Sequence, residues 1–286
     1  MTYEYFLLRL EERILDCLKE KESVRRVQVL KNNGVKLDGF CYRIEGHREQ
    51  PTVYVNHYYK EEISDRNIKE IAALVLKVQR ESSLKRENEL VQVLDFEKMK
   101  NHIFYRLISR EKNTELLKDV PWLPFLDLAL VFYLRIPEHI IDHATALIHT
   151  SHMERWGISR KRLYQTAAEN MARTSIYLEA MEAFLEEYGL EVQESGMYVL
   201  SCGDKEYGAA VIVNSDVMKE CGRRLGEDYY VLPSSIHEVI LLPESLATSE
   251  KDLDELVQEV NETCVSQEDY LSDHAYRYCV KTGRLS

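Results

Sequence analysis

Three features of this 286-residue sequence predict an α+β fold. Short β-branched stretches come in pairs, tight-turn residues separate them, and helices with one apolar face follow. The faces Ile68/Ile71/Ala72/Val75 and Leu253/Leu256/Val257/Val260 share one i, i+3, i+4, i+7 spacing. A third helix, opened by Ser159, follows a strand pair more loosely. The expected architecture is repeated strand–strand–helix modules, with largely antiparallel sheets and helices packed on one face. Two domains are expected. Residues 1–88 hold an N-terminal helix plus a strand-rich module with its helix, and residues 89–286 form an α+β body of two related modules.

The elements follow in order. Apolar positions at Tyr3, Phe6, Leu7, Leu10, Ile14, Cys17 and Leu18 predict a helix over 2–20, capped by Thr2. Asn33-Gly34 predicts a tight turn between two strands, because both residues tolerate positive φ. Residues 51–59 read as a third strand, and Ser64 opens a helix. The charged stretch 82–92 reads as a linker. Asp95 caps a short helix leading into the buried stretch 103–109, and 128–136 and 144–150 read as neighbouring strands. Ser159 opens a helix with Leu163, Ala167, Asn170 and Met171 on one face. After a break near 173–175 the pattern predicts a second helix running to Tyr188, stopped by Gly189. MYVLSCG and YGAAVIV read as a hairpin. Ser215 caps a helix stopped by Gly226. YYVLP and HEVILLP form two strands about a polar turn, and Ser249 and Asp252 have capping-box spacing.

Composition narrows the function classes. Apolar residues make up 45% and charged residues 30%, as in a globular chain, and the net charge is −12. That balance argues against a nucleic-acid backbone as partner, since such binding rests on clustered Lys and Arg. The charged N-terminus lacks the apolar core of a signal peptide, and the apolar stretch 120–134 is too short for a membrane span. Six widely spaced cysteines without a CxxC pair read as reduced thiols. A cytoplasmic protein is expected, with neither membrane nor nucleic acid among its partners.

The stretch YYVLPSSIHEVILLPE, 229–244, raises the question of chemistry. A hydrolase reading makes Ser235 or Ser234 the nucleophile, His237 the base and Asp273 or Glu238 the orienting carboxylate. The GxSxG elbow is absent. The plainer reading is a turn of short polar residues with His237 and Glu238 starting a strand, so Ser235→Ala is expected to leave folding nearly intact. His139 and His143, with Asp142 between them and His149 beyond, have metal-ligand spacing if helical. Pro137 before them and the strand-like 144–150 after them favour a loop. Asp273-His274 resembles a base-tuning pair, but Ser272 or Asp273 capping a final short segment is the plainer reading. The run 252–269 carries seven carboxylates and neither Lys nor Arg, which reads as a solvated face or a basic partner's landing site. The 18 tyrosines suit interfaces, with Tyr229, Tyr230 and Glu238 as binding candidates. P-loop, GxGxxG, EF-hand and HExxH patterns are absent, so no cofactor is expected.

LKNNGVKLDG, PTVYVNHYY, VPWLPFLDLALVFYL, WGISRKRLYQTAAEN and VNETCVSQEDYLSDHAYRY, together with the 229–244 stretch, resemble a clostridial, gut-bacterial family known only as a domain of unknown function. A more distant similarity is to an uncharacterised bacillus-type cytoplasmic family. The resemblance implies a bacterial intracellular protein of mixed α and β structure, and transfers no activity or functional residue. The reading that follows is a protein- or peptide-binding module without catalysis. The alternatives are a Ser235/His237/Asp273 hydrolase and a His139/His143 metal enzyme.

Overall fold

A computed structural model describes residues 1–46, 52–85, 95–137, 144–187, 189, 194–233 and 235–286, and of 81–85 the backbone alone. The fold is α+β with antiparallel sheets. Two compact units divide the chain, one of residues 1–31 and 35–95, the other of 32–34 and 96–286.

In the first unit, helix α1 (Tyr3–Asp16) starts at Thr2, whose hydroxyl accepts from the Tyr5 amide. It buries Phe6, Leu7, Leu10 and Ile14. Strands β1 (Glu22–Leu30) and β2 (Lys36–Ile44) pair in antiparallel register, and β3 (Val53–Tyr54) adds only two residues to β2. The third strand is this short because the chain turns into a 3₁₀ segment at Asn56–Tyr58. Helix α2 (Asp65–Lys85) buries Ile68, Ala72 and Val75 on the expected face. Arg80 forks onto Glu22 at 3.0 and 2.6 Å, and that hydrogen bonding holds the Glu22 carboxyl down to about 2.

In the larger unit, Asn33 and Gly34 take the left-handed conformation the NG turn needs. Short helix α3 (Phe96–Met99) leads to β4 (Ile103–Ser109). Strand β6 (Leu128–Arg135) pairs with β4, β5 (Trp122–Phe125) and β7 (Thr145–Leu147). Helices α4 (Thr150–Trp156) and α5 (Arg160–Met171) follow. Asn170 interrupts the apolar face of α5 for a reason: its amide donates to the carbonyls of Lys100 and Ile103 at 2.7 and 2.8 Å.

A six-stranded sheet completes this unit, in the order β13-β12-β10-β11-β9-β8. Its strands are β8 (Ile176–Ala180), β9 (Tyr198–Cys202), β10 (Tyr229–Leu232), β11 (Val239–Pro243), β12 (Tyr276–Cys279) and β13 (Arg284–Leu285). Two expectations fail here. Residues 176–180 are a strand rather than helix, because Ile176–Ala180 finds a full antiparallel partner in β9, and only Met181–Glu186 (α6) is helical. Residues 208–213 are a buried 3₁₀ segment rather than a strand, because Tyr207 turns the chain with φ of 54°. Helix α7 (Ser215–Leu225) is capped by Asn214, one residue earlier than expected, and ends at Gly226. Helix α8 (Glu250–Thr263) has the Ser249/Asp252 capping box. Its Leu253 and Val257 pack on Tyr230, Leu232 and Leu242, while Leu256 faces out. Among the described residues no helix is long and apolar enough to cross a membrane. Of the expected linker 82–92, residues 82–85 are the last of helix α2, and the rest lies outside the described residues.

Candidate functional site

The turn between β10 and β11 holds Ser235, His237 and Glu238. Ser235 is 5% exposed. Its hydroxyl donates to Glu238 Oε1 at 2.5 Å and accepts from the amides of His237 and Glu238 at 3.0 and 3.3 Å. These bonds turn the hydroxyl onto its own loop, as serine commonly does at turns. Ser234 lies outside the described residues.

The His237 ring has other partners. Its Nδ1 accepts from the Tyr207 amide at 3.3 Å, and its Nε2 faces Asp269 Oδ1 at 3.3 Å. The tautomer protonated on Nε2 satisfies both. Hydrogen bonding to Asp269 raises the His237 pKa, and the same bond, with Ser266 Oγ donating at 2.8 Å, lowers that of Asp269. Tyr207 stacks on His237 at 5.4 Å, and the Arg106 guanidinium lies 4.6 Å from the Tyr207 centroid. Gly208 makes this packing possible. A Cβ there would meet the Ser201 hydroxyl, Cys202 N at 2.5 Å and the His237 carbonyl at 2.6 Å.

The expected triad is therefore not joined as written. Asp269, not Asp273, is the carboxylate on His237, because the segment between α8 and β12 lays residue 269 beside the turn, where its carbonyl also accepts from the Ile236 amide. Asp273 instead meets His274 Nδ1 at 3.1 Å. Of the binding candidates, Tyr229 is fully buried and donates to the Met218 carbonyl at 2.8 Å. Tyr230 packs in the core with Leu242 and Leu253, and Glu238 is taken up by Ser235. Neither tyrosine has a face to offer a ligand. His139, Asp142 and His143 lie outside the described residues. His149 meets Asp119 at 2.7 Å and, with His152, closes the start of α4. No group of three or more His, Cys, Asp or Glu is arranged for a metal among the described residues.

The open chemistry lies nearby on the same segment. Asn33 and Asn113 bond reciprocally at 2.8 and 2.9 Å. The Asn33 side-chain Nδ2 donates to the carbonyls of Gln267 and Tyr270, at 2.9 and 2.7 Å. These bonds hold the 109–114 turn beside the 266–273 segment. Two clefts open there. One, about 420 Å³, reaches toward Gln258, Asn261 and Glu262. The other, about 500 Å³, reaches toward Arg110, Glu111 and Asp127. Lys112, Tyr270 and Asp273 line both. The Lys112 ammonium sits 3.1 Å from the Tyr270 ring centroid. Burial, then the charges of Asp273, Glu111 and Asp127, push the Tyr270 hydroxyl up to about 12. An aromatic face with carboxylates around it attracts ammonium and guanidinium groups.

Sequence reasoning missed Asp269, Tyr207 and Lys112 as site residues. Asp269 had a local signal in Ser266-x-x-Asp269, whose Ser hydroxyl and Asp carboxylate bond across three residues. Tyr207 and Lys112 had none, since their partners are far away in the chain. No curated protein and no solved structure matches the chain. The family of unknown function DUF5688 matches residues 3–280, nearly the full length. The chain belongs to the family of unknown function DUF5688.

Proposed function

We propose that this protein is a non-catalytic binding module that holds a cationic side chain of a protein or peptide over Tyr270. One observation carries the reading: the Tyr270 ring already holds an ammonium, in clefts whose carboxylates include Glu111, Asp127 and Asp273. The net charge of −12 adds long-range attraction for a basic partner and none for nucleic acid. The hydrolase reading is weaker. It needs a free hydroxyl beside an activated histidine, and Ser235 is bonded to Glu238. The six free thiols suit a reducing compartment, so we place the protein in the bacterial cytoplasm. A clostridial origin rests on the resemblance of the quoted stretches alone.

Fluorescence anisotropy with labelled tetra-arginine and tetra-glutamate peptides tests the proposal. The arginine peptide is expected to bind and the glutamate peptide not, with affinity falling as salt rises. Tyr270→Leu is expected to weaken binding about tenfold, and Tyr270→Phe to preserve it. Equal binding of both peptides, or a Tyr270→Leu variant that binds like the wild type, overturns the reading.

A further inference from the structure

We infer that Lys112 is a displaceable self-ligand, and that the two clefts it separates form one groove for an extended segment bearing an arginine or lysine. The inference rests on the proposed cation site and concerns how that site is kept closed. Lys112, Tyr270 and Asp273 are common to both clefts, which places these three residues where the clefts adjoin. Tyr270 and Asp273 are set by their own segment, which Asn33 holds through the Tyr270 carbonyl. Lys112 is the adjustable member. It is exposed, it has four rotatable bonds, and its ammonium has no ion pair at 4.0 Å or less among the described residues. What holds it is the ring face.

A cation arriving from a partner needs the same face. Binding therefore exchanges one ammonium for another group of like charge, and the lysine swings into water, where it is well hydrated. Without the Lys112 ammonium, Arg110 is the one positive side chain lining the joined groove among the described residues, against Glu111, Asp127, Glu262 and Asp273. The closed state lowers apparent affinity by the fraction of molecules in which the ring is occupied. An exposed cation–π contact corresponds to about a fivefold occupancy bias, so that is the expected scale of the effect.

The experiment compares wild type, Lys112→Met and Lys112→Arg in the same arginine-peptide titration. Methionine keeps the apolar stem and removes the charge. Lys112→Met is expected to bind about fivefold tighter, and Lys112→Arg no tighter than wild type. Thermal melts establish that each variant is folded. In a second measurement the lysines are ¹³C-methylated, and the Lys112 signal, assigned by its absence from Lys112→Arg, is followed by NMR. It is expected to be shifted by the Tyr270 ring current in the free protein and to return to the solvent position on saturation with peptide. If Lys112→Met binds equally or more weakly while Tyr270→Leu still loses binding, the self-ligand is overturned and the cation site stands. A Lys112 signal that stays shifted in the saturated complex overturns it too. If neither wild type nor Lys112→Met binds, the cation site fails and the self-ligand with it.

Discussion

The 235–238 turn and the 266–273 segment are built from the same materials: serines, carboxylates, a histidine close by and a tyrosine stacked on a cation or a ring. They differ in where their polar groups are aimed. In the turn, Ser235 satisfies Glu238 and two amides, and His237 is held from both ring nitrogens. In the segment, Tyr270 and Asp273 line open clefts, and the ring's partner is an exposed lysine. A serine and a histidine two residues apart look catalytic in a sequence. Here they close a loop, while residues without a motif line the open clefts. Reactivity depends on which valences are left over after folding, and residue type does not reveal that.

The comparison can be broken most severely at Gly208. Gly208→Ala places a methyl against the Ser201 hydroxyl and the backbone of Cys202 and His237, so a loss of about 3 kcal/mol or more is expected in chemical denaturation. An unchanged midpoint would mean that the turn and β9 are not packed as described. Ser235→Ala comes next. The hydroxyl is buried and makes three hydrogen bonds, so removal is expected to cost about 1–2 kcal/mol by urea unfolding. This revises the expectation, drawn from sequence alone, that the substitution leaves folding nearly intact. The cleft should be undisturbed: peptide affinity at saturating stability is expected to match wild type.

The smallest effect sharpens the link between the two regions. His237 and Asp269 join them, and their side chains are 31% and 39% exposed, so solvent screens the pair. His237 has a raised pKa, so its contribution is complete below the ordinary histidine value and fades as pH climbs through the raised one. Asp269 has a lowered pKa, so its contribution is complete above the ordinary carboxylate value and is lost as pH falls through the lowered one. The pair is expected to be strongest between roughly pH 4 and 6.5. Asp269→Asn is expected to cost about 0.5–1 kcal/mol at pH 6 and less at pH 9, read from urea midpoints at each pH. Glu206 and Glu238 also raise the His237 pKa, so some pH dependence should survive the substitution. A cost that grows toward pH 9 would contradict the assigned pairing.

Local signals carried well where one segment decides its own state. Thr2, Ser159 and Ser249 cap the helices they precede, and Gly226 ends α7, because a cap acts on amides and carbonyls within one turn. The NG turn and the paired strands of 229–243 were legible for the same reason. Residues 176–180 were not, since IYLEA suits either state and the free edge of β9 chose between them. Nor was 208–213, where strand-like Ala-Ala-Val-Ile-Val follows a left-handed Tyr207 and packs against residues from distant elements. The helix face Leu253/Leu256/Val257/Val260 was read correctly as amphipathic, yet only two of its four members are buried.

By itself, then, the sequence determined class, caps, turns, net charge and the absence of familiar catalytic signatures, all of which depend on neighbours within a few residues or on totals. Only the tertiary structure decided that Asp269 and not Asp273 serves His237, that Tyr229 is core, and that Lys112 rests on Tyr270. Each of these pairs groups 11 to 158 residues apart. At that separation no local spacing rule applies, and the partner is chosen by whichever surfaces the packed elements bring together.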